Sequence, residues 1–136
     1  MGRFTQAVGA VALAGAFTVS GAAVASASPA GTDSYADCKS GQWCMWDGDG
    51  GTGTGYVAYN SPSAEDLTLP YHGFNDRANS VRNLTSRAIC VYWDKDFGGA
   101  SIKYNAGAQT TLPVSWKNKV SSYRTIPNGV TSCNYE

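Results

Sequence analysis

Beyond residue 27 the bulky residues alternate with polar ones in short runs, each closed by glycine, aspartate or proline. No stretch there keeps the three-to-four-residue spacing of a long helix. Cys90-Val91-Tyr92-Trp93-Asp94 alternates across the two faces of a strand, and Asp94-Lys95-Asp96-Phe97-Gly98-Gly99 follows as an acidic corner. The pattern predicts a half-buried strand from Val91 to Asp94 and a hairpin folded back beneath Phe97, with a late glycine supplying positive φ. Gln42 to Asp47 and Tyr56 to Asn60 predict a second such hairpin around the glycine-rich corner 48–55.

The two hairpins are copies. Trp46-Asp47 matches Trp93-Asp94, and Val57-Ala58-Tyr59 matches Ile102-Lys103-Tyr104. In this alignment the first corner is two residues longer, has no counterpart of Phe97, and is expected to be the more mobile. The later halves align as well: Asn75 to Leu84 lies over Lys117 to Ile126, pairing Ser80 with Ser122, Arg82 with Arg124 and Leu84 with Ile126. Leu67-Thr68-Leu69-Pro70 and Thr110-Thr111-Leu112-Pro113 are expected as third strands. Val81 and Leu84 cannot both face one core from a regular strand, so a bulge is expected between them. Arg82 and Arg124 are read as structural, paired with acids or carbonyls at the corners. Four strands occurring twice predict an all-β sandwich of about eight strands in two Greek keys.

Composition adds a compartment. Arg3, an apolar run from Ala7 to Val24 and the small residues Ala25-Ser26-Ala27 read as an export signal over residues 1–27. Residues 28–37 are small and polar and read as a loose arm, and 38–136 as one domain with repeats 38–86 and 87–136. The exported chain has nine basic and ten acidic side chains, scattered rather than clustered, which argues against nucleic acid as a partner. With the signal removed, nothing calls for a membrane, and a monomer is expected. Four cysteines in an exported chain allow three pairings; a short ring from Cys38 to Cys44 and a tether from Cys90 to Cys133 are favoured. Chain entropy assigns the ring about 2.4 kcal/mol and the tether on the order of 4.

The duplicated hairpin and closing segment resemble the βγ-crystallin superfamily over roughly Cys38 to Cys133. Export, the Cys38 to Cys44 ring and the segment Phe74 to Asn83 (FNDRANSVRN) resemble, within it, the Streptomyces metalloproteinase inhibitor family. That resemblance implies a secreted, non-enzymatic inhibitor presenting a rigid, substrate-like loop to a thermolysin-like zinc metalloprotease. The reactive bond does not map, because the second repeat lacks the short disulfide loop that closes it in the best-known member. Ala88-Ile89 fits a preference for a bulky aliphatic residue after the cut bond, provided it is exposed.

The superfamily also implies calcium. Asn75-Asp76-Arg77-Ala78-Asn79-Ser80 and Lys117-Asn118-Lys119-Val120-Ser121-Ser122 each depart once from the calcium-binding pattern, at Asn79 and at Lys117. The candidate ligands are Asp76 with backbone help from the Asp94 to Asp96 corner, or Asn118 and Ser121 with help from Asp47 to Asp49, the corners supplying backbone carbonyls. The alternative function is therefore a calcium-binding stress protein, or a secreted antifungal, killer-toxin-like protein using Trp43, Trp46, Tyr56, Tyr59, Trp93, Tyr104 and Trp116 as a sugar-binding surface. Catalysis has little to work with. His72 is the one histidine and reads as a loop residue, and the pairs Asp47/Asp49 and Asp94/Asp96 read as turn formers.

Overall fold

A computed structural model describes residues 34–60 and 62–135. The segment read as an export signal lies outside the described residues, as does most of that read as an arm. Eight strands follow in order: β1 (Gln42–Trp46), β2 (Gly55–Tyr59), β3 (Ser63–Ala64), β4 (Ser80–Asn83), β5 (Ile89–Tyr92), β6 (Ser101–Tyr104), β7 (Gln109–Thr111) and β8 (Ser122–Thr125). They form two antiparallel sheets, β2-β1-β4-β7 and β3-β8-β5-β6. The third strand of each repeat has crossed to the other repeat's sheet. Ala64 of β3 pairs with Tyr123 of β8, and Thr110 of β7 pairs with Val81 of β4. This exchange makes the two Greek keys one body.

Between the sheets, Trp43 and Met45 from β1, Val81 from β4, Ile89 and Val91 from β5 and Tyr123 from β8 meet Leu67, Phe74, Leu112, Trp116 and Val120. The expectation of a half-buried strand is corrected here, since β1 and β5 are buried at every position. Their outward-facing residues have their own cover. Cys44 and Trp46 pack with Cys38, Tyr35 and Leu84, while Cys90 and Tyr92 pack with Cys133, Ile126, Phe97 and Tyr135. Leu84 thus faces outward with Ser80 and Arg82, and the strand reaches both clusters by plain alternation, without the expected bulge.

The segments just before β1 and just after β8 supply those outer clusters. Tyr35–Asp37, at the end of the segment expected to be a loose arm, forms a 3-10 turn capped by Ser34 and sets Tyr35 edge-on against Trp46, with ring centroids 5.2 Å apart. Disulfides fasten both ends as the spacing predicts: Cys38 to Cys44, and Cys90 to Cys133. Across the strand pair, Cys44 lies opposite Arg82 and Cys90 opposite Arg124. Arg82 donates to the carbonyl of Tyr35. Arg124 donates to the carbonyls of Cys133 and Tyr135 at 2.9 and 3.1 Å and to the Tyr92 hydroxyl at 2.9 Å, between the rings of Phe97 and Tyr135. The arginines are structural as predicted, but they hold the chain ends rather than the corners.

The repeat alignment shifts by one residue in the hairpins. Ser80 pairs with Trp46 and Ser122 with Tyr92, so Trp46 corresponds to Tyr92, not to Trp93. Ser80 Oγ donates to the Gly48 carbonyl and accepts from the Gly51 amide; Ser122 Oγ treats Asp94 and Phe97 in the same way. The corners are therefore equal in length. Gly51 stands where Phe97 stands, both with positive φ (78° and 59°), and a Cβ on Gly51 would lie 2.7 Å from the Tyr35 ring. The missing aromatic cover of the first corner is supplied by Tyr35. With the Thr54 amide on Asp47, the Gly50 amide on Thr111 and Lys117 on Asp49, this corner is pinned rather than loose.

Removing either arginine should loosen a chain end. Arg124→Ala is expected to cost about 2 kcal/mol, because charged hydrogen bonds and ring contacts are lost together, and Arg82→Ala less. Arg124→Lys should rescue little, since a compact ammonium lacks the planar fork that spans these acceptors and lies flat between the two rings. Thermal unfolding measures both; melting unchanged in Arg124→Ala would make the pair surface groups.

Candidate functional site

With both sheets covered, the segments able to meet a partner are those joining the strands. The first repeat was expected to place its third strand at Leu67–Leu69; the strand is instead Ser63–Ala64. Leu67 is a buried anchor, its amide donating to Ser121 O at 2.9 Å as the Leu112 amide donates to Asn79 O at 2.8 Å. Phe74 and Trp116 are the next buried anchors. Between them, the first repeat runs through 68–73 and the second only through 113–115. The longer connection begins on Asp66, whose carboxylate accepts from the Thr68 amide at 2.8 Å, from the Thr68 hydroxyl at 2.5 Å and from Lys95 at 2.9 Å. The Thr68 hydroxyl and then Lys95 lower its carboxyl to about 2.

At the far end of this loop, Tyr71 is 76% exposed and leans on His72, ring centroids 4.5 Å apart. The amides of His72 and Gly73 donate to Leu69 O at 2.8 and 3.0 Å. His72 Nδ1 lies 2.8 Å from the Tyr56 hydroxyl, which lies 2.9 Å from that of Tyr123. Burial raises the pKa of both phenols, in Tyr56 against the lowering effect of the hydrogen bond from Tyr123, so both stay protonated at physiological pH. The bland loop histidine of the sequence is thus the outer end of a polar chain reaching into the core.

The segments expected to hold calcium are laced together. Asp76 donates its amide to Val120 O, Asn118 its amide to Ala78 O, and Ser121 Oγ lies 3.3 Å from Asp76 Oδ1. Residues assigned to two sites therefore meet at one seam. At the Asp47–Asp49 corner both carboxylates are engaged, Asp47 by Arg77 at 2.6 Å and Asp49 by Lys117 at 2.5 Å. Burial would raise the Asp47 carboxyl, but the bonds from Arg77 and Thr54 outweigh it and hold it below the usual range. The Asp76 seam offers hard oxygens, including the buried Asn75 Oδ1, which has no hydrogen-bond partner among the described residues. No group of three or more His, Cys, Asp or Glu able to hold a metal occurs among the described residues.

Other candidates resolve by burial. Ile89 is fully buried, so Ala88-Ile89 cannot be presented to a protease. Among the seven aromatics proposed for sugars, Trp43, Trp46, Tyr104 and Trp116 are buried and Tyr56 is half-buried, leaving Tyr59 and Trp93 exposed. Val114, in the short turn 113–115, is 86% exposed.

Two interlocked Greek keys with this strand order define a βγ-crystallin fold, and solved structures agree. A βγ-crystallin domain from Flavobacterium johnsoniae is 31% identical, with 65% of this chain and 98% of that one covered at a TM-score of 0.52. The βγ-crystallin from Ciona intestinalis is 26% identical over 63% and 100%, TM-score 0.54. A domain from Clostridium beijerinckii, 14% identical over 61% and 94%, TM-score 0.53, shares the fold. No curated protein matches the chain. The sequence model of Peptidase inhibitor family I36 matches residues 31–104, more than half of the chain, and this protein belongs to that family. Its partner is accordingly a peptidase.

The Asp66 contact gives a pH dependence. Its carboxyl is lowered from 3.8 to about 2 in the fold, so its support of the loop is complete above about pH 4 and lost as pH falls toward 2. The protection of the Thr68 amide, measured as hydrogen exchange relative to the intrinsic rate at each pH, should fall across that window, and in Asp66→Ala it should be low throughout it.

Proposed function

We propose that this protein is a secreted, monomeric, non-enzymatic inhibitor of zinc metallopeptidases of the thermolysin type, acting through a rigid exposed loop. The observation that carries the reading is the family match over residues 31–104, which makes a peptidase the partner. The molecule is suited to the task. Two disulfides and two arginine clamps hold the chain ends against the sheets, so connecting loops stand on a base that loses little freedom when a partner binds. The zinc class comes from the resemblance to the Streptomyces inhibitors. Titrating the exported chain against a thermolysin-type enzyme and a serine peptidase tests it. Stoichiometric loss of activity is expected with the zinc enzyme alone, and inhibition only of the serine enzyme would refute the zinc assignment.

A second reading, weak calcium binding at the Asp76 seam, is favoured by the unpartnered Asn75 oxygen beside the carboxylate and the Ser121 hydroxyl. Such a site should raise the melting temperature at millimolar calcium, an effect that Asp76→Ala removes. Calorimetry without heat in the unaltered protein, with unchanged melting, would leave these groups as turn-capping residues.

A further inference from the structure

We propose that the loop 68–73 is the peptidase-contacting element, with Tyr71 entering the apolar pocket beside the catalytic zinc and His72 Nε2 binding the zinc itself. The inference rests on the proposed inhibition of a zinc peptidase and names the residues that would perform it.

Four independent observations converge on this loop. The fold does not need its length, since the second repeat spans the same pair of buried anchors through 113–115. It lies within the residues that match the inhibitor family, as do the less exposed Tyr59 and Trp93, whereas Val114, more exposed than either, lies outside them. Its tip combines a 76%-exposed aromatic ring with the one imidazole of the chain, and ring contact at 4.5 Å fixes one against the other. Both flanks are held: Asp66 clasps Thr68 and Lys95, and Leu69 O takes the amides of His72 and Gly73.

The histidine is set up as a ligand. Its Nδ1 is engaged by the Tyr56 hydroxyl, while Nε2 is not buried and has no hydrogen-bond partner among the described residues. A zinc-binding imidazole uses one nitrogen for the metal and donates the N–H of the other to a neighbouring group, which sets tautomer and ring angle. Tyr56 can play that neighbour because its hydroxyl both accepts and donates. When Nε2 displaces the zinc-bound water, the Nδ1 proton is donated to Tyr56 oxygen and the Tyr56 proton points to Tyr123 oxygen, 2.9 Å away. The zinc–oxygen bond to water is exchanged for a zinc–nitrogen bond, the neutral water leaves to solvent, and no charge is created. The peptidase loses the water that it uses to cut, so the inhibitor blocks hydrolysis without offering a scissile bond.

The test compares the unaltered exported protein with Tyr71→Ala, His72→Gln and, as control, Val114→Ala, each checked by thermal unfolding. The readouts are the inhibition constant against a thermolysin-type enzyme and the visible spectrum of its cobalt-substituted form. Tyr71→Ala and His72→Gln are expected to weaken inhibition by roughly tenfold to a hundredfold, and Val114→Ala by less than about threefold. The unaltered protein should shift the cobalt spectrum and His72→Gln should not. Inhibition by the unaltered protein that survives in both loop variants, or a cobalt spectrum unmoved by it, overturns the assignment of this loop while leaving inhibition standing. An unaltered protein that inhibits no zinc peptidase overturns the inhibitory reading, and this proposal with it.

Discussion

The structure depends on covering the outer faces of β1 and β5. Both strands are central in their sheets and apolar on both sides, so the sandwich interior satisfies only half of each. Trp46 and Tyr92 would otherwise lie in water, and leaving two large rings exposed forfeits several kilocalories of burial. The segments flanking the eight strands provide the missing layer. One brings Tyr35 and Cys38, the other Ile126, Cys133 and Tyr135.

The two ends are attached by the same devices in the same places. Cys44 and Cys90 occupy equivalent positions, as do Arg82 and Arg124, yet Cys44 reaches back to the preceding segment and Cys90 forward to the following one. Each disulfide limits the unfolded chain, and each arginine adds charged hydrogen bonds to carbonyls of the segment it holds. The result is a small domain with three apolar clusters in place of one. Its surface function is left to the loops, and the loop 68–73 is the one whose length differs most between the repeats.

The same cover explains why the first corner is not mobile. A glycine-rich turn carries little side-chain mass of its own, but the absent side chain of Gly51 is what lets Tyr35 descend onto the backbone. Serine hydroxyls at equivalent places then close both corners identically. The glycines there mark a close approach of two chain segments rather than a flexible hinge.

Alternation of bulky and polar residues, read with the repeated Ser-x-Arg, was enough to place most strands and the double Greek key, because strand periodicity is a local property, and the short Cys38 to Cys44 ring left one pairing for Cys90 and Cys133. It misplaced the hairpin alignment, since the Trp-Asp pair is a chance match, whereas the true equivalence is set by which backbone groups face Ser80 and Ser122. It misplaced β3 as well, because Leu67 is apolar enough for a strand yet serves as an anchor after one. The cover of Tyr35 over Gly51 and the chain from His72 through Tyr56 to Tyr123 join residues far apart in sequence. Only tertiary packing decides those contacts, as each depends on distant backbone positions that no local pattern records.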